Sequence, residues 1–319
     1  MFMSGQPVMI KVGTRVFCDE IGHLYSTYEN QTIQIPTTAK GTWKEAKIKR
    51  ILDNTEFGYQ MICTGGAKLL LHPNHLLDHK RACEYGYRSF ILTNSVPFFD
   101  WIDSNHGYPY GFFLGLFACE EYKEDLEIHS GRIRKTLESH ILSVFSQIDH
   151  FDYKVKREVL PNSYKNGWSQ MTISFKDCEL IKDFLKRFLC SDGSLWDCIL
   201  YNQNFRRGVL DGLKCHTEYW DINFESTVAK VTKGLAKVMR ALDVSLGRIC
   251  FLEDRESDLK CWLVDDSAAI QKYNDRFEVL NSYSAIHLED YWYSFGLREP
   301  VDGSLILPNG ILSDLVQGE

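Results

Sequence analysis

Hydrophobic and polar positions change period twice along the chain. Over the first 80 residues they alternate in short runs: PVMIKV (7–12), RVFCDE (15–20), HLYSTYE (23–29), QTIQIP (31–36), EAKIKRIL (45–52), GYQMIC (58–63) and AKLLLH (67–72). A period near two, broken by Gly, Asn, Thr and Asp, predicts the strands of an all-β unit. Residues 81–108 read as a connection. From 109 to 270 helical spacing takes over, with a helix near 109–119, an amphipathic helix at RIRKTLESHILSVFSQI (132–148) and strands at YKVKREVL (153–160) and SQMTISF (169–175). A helix follows at DCELIKDFLKRFL (177–189), then one at FRRGVLDGLK (205–214), a strand at YWDINFES (219–226) and a long helix at TVAKVTKGLAKVMRAL (227–242). Strands RICFLE (248–253) and LKCWLVD (259–265) close this part, and from about 283 the pattern returns to β with YWYSFGL (291–297) and SLILPNGIL (304–312).

Two of the helices carry one device. FFLGLFACEE (112–121) and FRRGVLDGLK each lie in a segment with glycines four apart, Gly111 with Gly115 and Gly208 with Gly212. A glycine inside a helix costs about 1 kcal/mol relative to alanine. Two such pairs imply an offsetting gain, the close approach of two backbones across flat glycine faces. Gly115 and Gly208, 93 residues apart, mark a repeat of helix, strands and helix. Each helix alone reads as a packed core helix of any α/β protein; two copies with matching followers favour a duplicated unit. Helices packed in this way bring their C-terminal ends to a common point.

Composition narrows the class. Of 319 residues, 44% are hydrophobic and 13% aromatic, enough for two or three packed domains rather than a disordered chain. No apolar run approaches the ~18 residues of a membrane span, and the opening MFMSGQPVMIKVGTRVF lacks a signal-peptide pattern. A cytoplasmic setting is expected, or the nucleus in a eukaryote. The ten cysteines show no CxxC spacing and fit free thiols in a reducing compartment. Net charge is −7, but residues 151–250 hold 16 Lys/Arg against 12 Asp/Glu, while 251–319 hold 5 against 14. A moderately basic middle and an acidic C-terminal part follow.

The glycine helices and their followers resemble the paired motifs of LAGLIDADG homing endonucleases. The flanking strands resemble the Hedgehog/intein (Hint) splicing domain into which such nucleases are inserted. GGAKLLLHPNHLL is similar to the intein motif Thr-x-x-His, LILPNGILSDL to the C-terminal motif ending in His-Asn, and MFMSGQPVMIKVG to the N-terminal block. The resemblance implies an α+β fold: an all-β Hint-like horseshoe domain in two parts, 1–100 and 281–319, around a pseudo-two-fold αββαββα LAGLIDADG domain at 101–280, with repeats at about 109–190 and 195–270.

Departures from the family shape the functional expectation. Met1 stands where splicing needs a Cys or Ser nucleophile, and a thioether cannot make the acyl shift. Asp314 and Leu315 stand for the His and cyclising Asn, Val316 for the next nucleophile, and His72 for the threonine partner of His75. Splicing is therefore not expected. In the nuclease motif one acid ends each helix, and the pair holds Mg²⁺ through hard oxygen ligands. Glu120 fits as catalytic and metal-binding acid; the matching residue of the second helix reads as Leu213, with Asp211 a poor substitute. Mg²⁺ belongs only to an active nuclease, and cleavage is doubtful with one acid missing.

Family resemblance also places double-stranded DNA on a curved sheet, with Lys154, Lys156 and Arg157 in the first repeat and Lys214, His216, Tyr219 and Asn223 in the second. A solvated edge strand accounts equally for the first set, and Arg206 and Arg207 read as surface charge. His72, His75 and His79 have a spacing that suits a metal, although a core histidine with two loop histidines is the simpler reading. The expected protein is a monomer that binds DNA. The alternative is a non-catalytic interaction protein whose acidic C-terminal region meets a protein partner.

Overall fold

The computed structural model describes residues 1–102, 105–118, 126–130, 132–149, 151–159, 168–176, 179–189, 194–215, 219–220, 229–231, 233–248, 251–254, 261–264, 276–287, 289, 291–299 and 303–315. The fold is mixed α+β and rich in sheet. Its first part runs β1 (Pro7–Val12), β2 (Arg15–Glu20), α1 (Ile21–Tyr28), β3 (Ile33–Pro36), β4 (Trp43–Leu52), β5 (Phe57–Cys63), β6 (Ala67–Leu71), β7 (Leu76–Leu77), β8 (Lys80–Arg81) and β9 (Phe90–Leu92). Next come α2 (Tyr108–Ala118), β10 (Glu127–His129), β11 (Arg132–Arg134), α3 (Lys135–Phe145), β12 (Tyr153–Val159), β13 (Trp168–Phe175) and α4 (Glu179–Leu189). A similar order follows in α5 (Gln203–Lys214), β14 (Tyr219–Trp220), β15 (Ala229–Val231), α6 (Lys233–Ser245), β16 (Phe251–Asp254) and β17 (Cys261–Val264). The chain closes with β18 (Arg276–Ile286), β19 (Tyr291–Leu297), β20 (Ser304–Ile306) and β21 (Leu312–Asp314).

Contacts divide the chain into two units. One comprises Met1–Phe99, Asp243–Leu252 and Ser267–Glu319; the other comprises Asp100–Leu242 and Glu253–Asp266. The sequence reading ended the inserted part at 280. The division instead falls earlier, because β18 is one continuous strand that pairs with β5 from Val279↔Cys63 to Ile286↔Phe57 and with β9 at Phe277↔Ile91. The segment from Asp243 joins the first unit through backbone capture: Asn94 Nδ2 donates to Val244 O at 2.9 Å, and Phe98 N–H to Ser245 O at 2.8 Å.

In the first unit, a five-stranded sheet runs β19-β4-β3-β1-β2 and a four-stranded one β6-β5-β18-β9. Alternation along these strands sends Val8, Ile10, Ile33, Ile35, Met61, Leu69, Phe277 and Phe295 into one core. HLYSTYE, expected as a strand, is the end of α1. Ile21, Leu24, Tyr25 and Tyr28 recur at helical spacing and all lie on that core, so the 3.6-residue period overrides the β preference of the tyrosines.

In the second unit, β13 is central. β12 covers one edge of it, while β10 and β11 lie on the other and β14 pairs parallel with β11. Met171, Ile173 and Phe175 face the core. There Phe113, Phe145, Phe151 and Phe175 meet edge to face at centroid distances between 4.7 and 6.1 Å. Two expected helices start later than their apolar pattern suggests. Residues 132–134 and 229–231 are strands paired to β13 and β17, and the helices begin at Lys135 and Lys233.

Candidate functional site

The geometry of the second unit is set by α2 and α5. A Cβ on Gly111 would stand 3.0 Å from Val209 N and overlap Phe205 O; one on Gly115 would stand 2.9 Å from Leu213 N and overlap Val209 O. Reciprocally, Gly208 abuts Phe112 N and Gly212 abuts Leu116 N, each at 2.8 Å from a would-be Cβ. The four glycines therefore allow backbone-to-backbone contact that no other residue permits here. Gly111 meets Gly208 and Gly115 meets Gly212, so the helices run parallel at a fixed offset of 97.

This register corrects the sequence alignment by one turn. GFFLGLFACEE from Gly111 matches GVLDGLKCHTE from Gly208 residue for residue in offset, so Leu213 is the counterpart of Leu116, not of Glu120. Both leucines are completely buried in the packed helices. Carried along the sequence, the offset pairs Glu120 with Thr217 and Glu121 with Glu218. Glu120, His216 and Asn223 lie outside the described residues, as do 217 and 218; Tyr219 is described only as part of β14.

The second helix carries charge where the first is apolar. Asp211, counterpart of Leu114, accepts a hydrogen bond from Tyr108 Oη at 3.1 Å and lies 3.9 Å from Arg207 Nε. Burial, then Asp211, pushes the Tyr108 hydroxyl far above the ordinary tyrosine range. Lys214, expected at the DNA surface, is only 3% exposed. Arg206, expected as surface charge, is 0% exposed, with Nη2 at 2.9 Å from Asp100 Oδ1. Among the described residues no group of three or more His, Cys, Asp or Glu is placed to hold a metal. Those near the end of α5 include Leu213, Lys214 and Cys215, with Asp211 engaged by Tyr108, while Glu120, the expected metal ligand, lies outside the described residues.

The sheet face is more informative. Lys154 and Lys156 share it with Ser174, Thr172 and Gln170 of β13 and with Glu127 and His129 of β10. Arg157 is on the opposite face, where it reaches back to Glu138 of α3. The three basic residues of YKVKREVL are thus not one set; the alternation of a strand separates them. Lys156 pairs with Glu158 at 2.8 Å, Glu127 accepts from Ser174 Oγ at 2.7 Å, and His129 Nε2 is 3.2 Å from Glu127. The face is polar with interleaved signs.

In the first unit the residues singled out by motif gather as two side-chain networks joined through the backbone, where His72 N–H donates to Met1 O at 3.1 Å and His75 N–H to His72 O at 2.9 Å. Residues 1–3 run between β6 and β19: Phe2 N–H donates to Tyr293 O at 2.7 Å and Met3 N–H to Leu70 O at 3.1 Å. The Met1 nitrogen lies 2.5 Å from His75 Nδ1, and His75 Nε2 lies 2.9 Å from Ser313 Oγ. Burial pushes the Met1 amino group down to about 5 and holds His75 well below the usual histidine value. With both neutral, the amine donates to Nδ1, and Nε2–H is left to donate to Ser313.

His72 forms the second network. Its Nδ1 accepts from Asn74 N–H at 3.0 Å, which leaves Nε2–H for Thr55 Oγ1 at 3.2 Å and Asp53 Oδ2 at 3.4 Å. Its ring stands edge-on to Trp292 at 4.6 Å. Asp314 accepts from His79 N–H at 2.8 Å, and Leu315 packs against the core. His72, His75 and His79 thus each have a different partner set and do not converge. Ser313, which the sequence reading passed over, is the side chain that closes the His75 network; its only signal was adjacency to Asp314.

No protein-family model matches the chain, and no curated protein matches it. Among solved structures the chain is similar to the crystal structure of transcription factor IIB Mvu mini-intein, at 12% identity and a TM-score of 0.24 over 30% of this chain and 71% of that one. A likeness of that degree carries no argument about activity.

Proposed function

We propose that the chain is a splicing-inactive protein derived from a Hint domain with an inserted LAGLIDADG unit, and that its second unit binds double-stranded DNA along the polar face of β10, β12 and β13. The observation that carries this reading is the parallel α2–α5 pair with backbones touching at four glycines. The order of two strands, helix and two strands after each glycine helix supports it. Met1, Asp314 and Leu315 lack the nucleophile, the proton donor and the cyclising amide that splicing consumes.

Cleavage is a separate matter. If the 97-residue offset of the glycines continues along the sequence, Thr217 is the counterpart of Glu120, and a hydroxyl is a poor substitute for a carboxylate at Mg²⁺. On this reading Thr217→Asp raises Mg²⁺-dependent nicking, whereas Leu213→Asp only buries a carboxylate between helices and unfolds the unit.

The experiment is a titration of duplex DNA against the full chain across salt concentration. Affinity should fall steeply with salt, and Lys154→Gln with Lys156→Gln should flatten the log–log slope by about 2, one unit per phosphate contact. Binding that ignores salt, or no binding at low salt, removes the DNA reading. The interleaved charges of Lys156, Glu158 and Glu127 favour a second reading, a protein-interaction surface without DNA, which the absence of binding would select.

A further inference from the structure

We infer that a cavity between the start of α2 and α4 is a cage for an alkylammonium group, independent of the sheet face and of DNA. The cavity measures about 160 Å³, close to one that accepts benzene. His106, Tyr110, Phe151 and Phe184 supply four rings to its wall, and Asp149 the charge. Tyr110 is steeply inclined to its neighbours, to His106 at 76°, to Phe184 at 62° and to Phe151 at 70°, while His106 and Phe184 are tilted by 42°. Rings so inclined do not stack on one another, and an electron-rich face that one of them turns to the cavity attracts a cation.

Charge selects the occupant. Asp149 is exposed and has no ion pair among the described residues. A carboxylate at an aromatic rim repels anions and steadies a bound ammonium. His106 does not compete as a cation, because burial and then the nearby Arg187 lower its pKa. Arg187 itself is turned to other rings, 5.2 Å over Tyr201. Leu180 and Ile181 complete an apolar wall suited to the methyl groups or stem of the ligand rather than to a hydrated metal ion.

Such a group belongs either to a small quaternary amine or to a lysine side chain of another protein, methylated or not. The test is calorimetric titration of the full chain with tetramethylammonium, choline, a trimethyl-lysine peptide and the uncharged isostere 3,3-dimethylbutanol. Saturable binding at millimolar Kd is expected for the cations, at least ~10-fold weaker for the alcohol. Asp149→Asn should weaken the cations about 5-fold and Tyr110→Leu about 10-fold, both with native melting curves, while Asp183→Asn, paired to Lys186 at 3.6 Å, leaves binding unchanged. A peptide that binds 10-fold tighter than choline identifies a protein side chain as the occupant; equal affinities identify the small amine. Equal binding of the alcohol, no saturation by any cation, or an indifferent Asp149→Asn overturns the proposal.

Discussion

His75 shows how burial converts an ordinary residue into a pH liability. Its ring is 3% exposed between the Met1 nitrogen, His72 and Ser313, and desolvation holds its folded pKa well below 6.5. Above pH 6.5 the folded and unfolded chains both carry it neutral, and it contributes nothing to pH dependence. Below 6.5 the unfolded chain takes up a proton that the folded chain refuses, so stability falls as pH drops, by at most about 1.4 kcal/mol per unit for each such group. His72 is shifted downward by burial as well and acts in the same direction. Urea midpoints should therefore decline between pH 7 and 5.5, and His75→Gln should be less stable at pH 7 yet decline less. An unchanged slope would remove His75 as the cause. His75 was among the residues the sequence singled out; Ser313 was not, because nothing in an apolar hairpin sequence says which polar side chain turns inward.

At the scale of elements, the glycine helices were the clearest feature of the sequence, and their register the least clear. Spacing within a helix specifies a flat face but not which turn of one helix meets which turn of the other. The contact that results sets the glycines against the backbone of Phe112, Leu116, Val209 and Leu213. Gly115→Ala or Gly212→Ala forces a methyl into a carbonyl oxygen of the facing helix and should cost about 3 kcal/mol or more, as overpacking at a rigid backbone does. Gly86→Ala, with nothing within 4 Å of the added carbon, should change the melting temperature little. Similar losses in both would show the helix contact to be loose. The strands at 132–134 and 229–231 escaped notice for a related reason: three residues are too short to display a period, and only pairing to β13 and β17 fixes them. Arg206 read as surface charge and Lys214 as a DNA contact because helical position alone reveals neither burial nor, for Arg206, a partner such as Asp100, remote in sequence.

Across the whole molecule, the change of hydrophobic period marks regions of the sequence but not which distant strands pair. Leu52 pairs with Tyr291 and Gly58 with Ala285, partners separated by well over 200 residues. Closing such a loop in a disordered chain is entropically expensive and slow, and the expense grows with the length still unfolded. The sheets of the first unit are therefore obliged to wait, and acquisition of structure inside 100–242 shortens the span that must be closed. Pulse-labelled hydrogen exchange during refolding should protect amides of β13 before those of β4 and β19. During translation the same constraint leaves the β1–β6 strands without β18 and β19 until the ribosome has passed residue 297, a long interval in which exposed strand edges need shielding from one another.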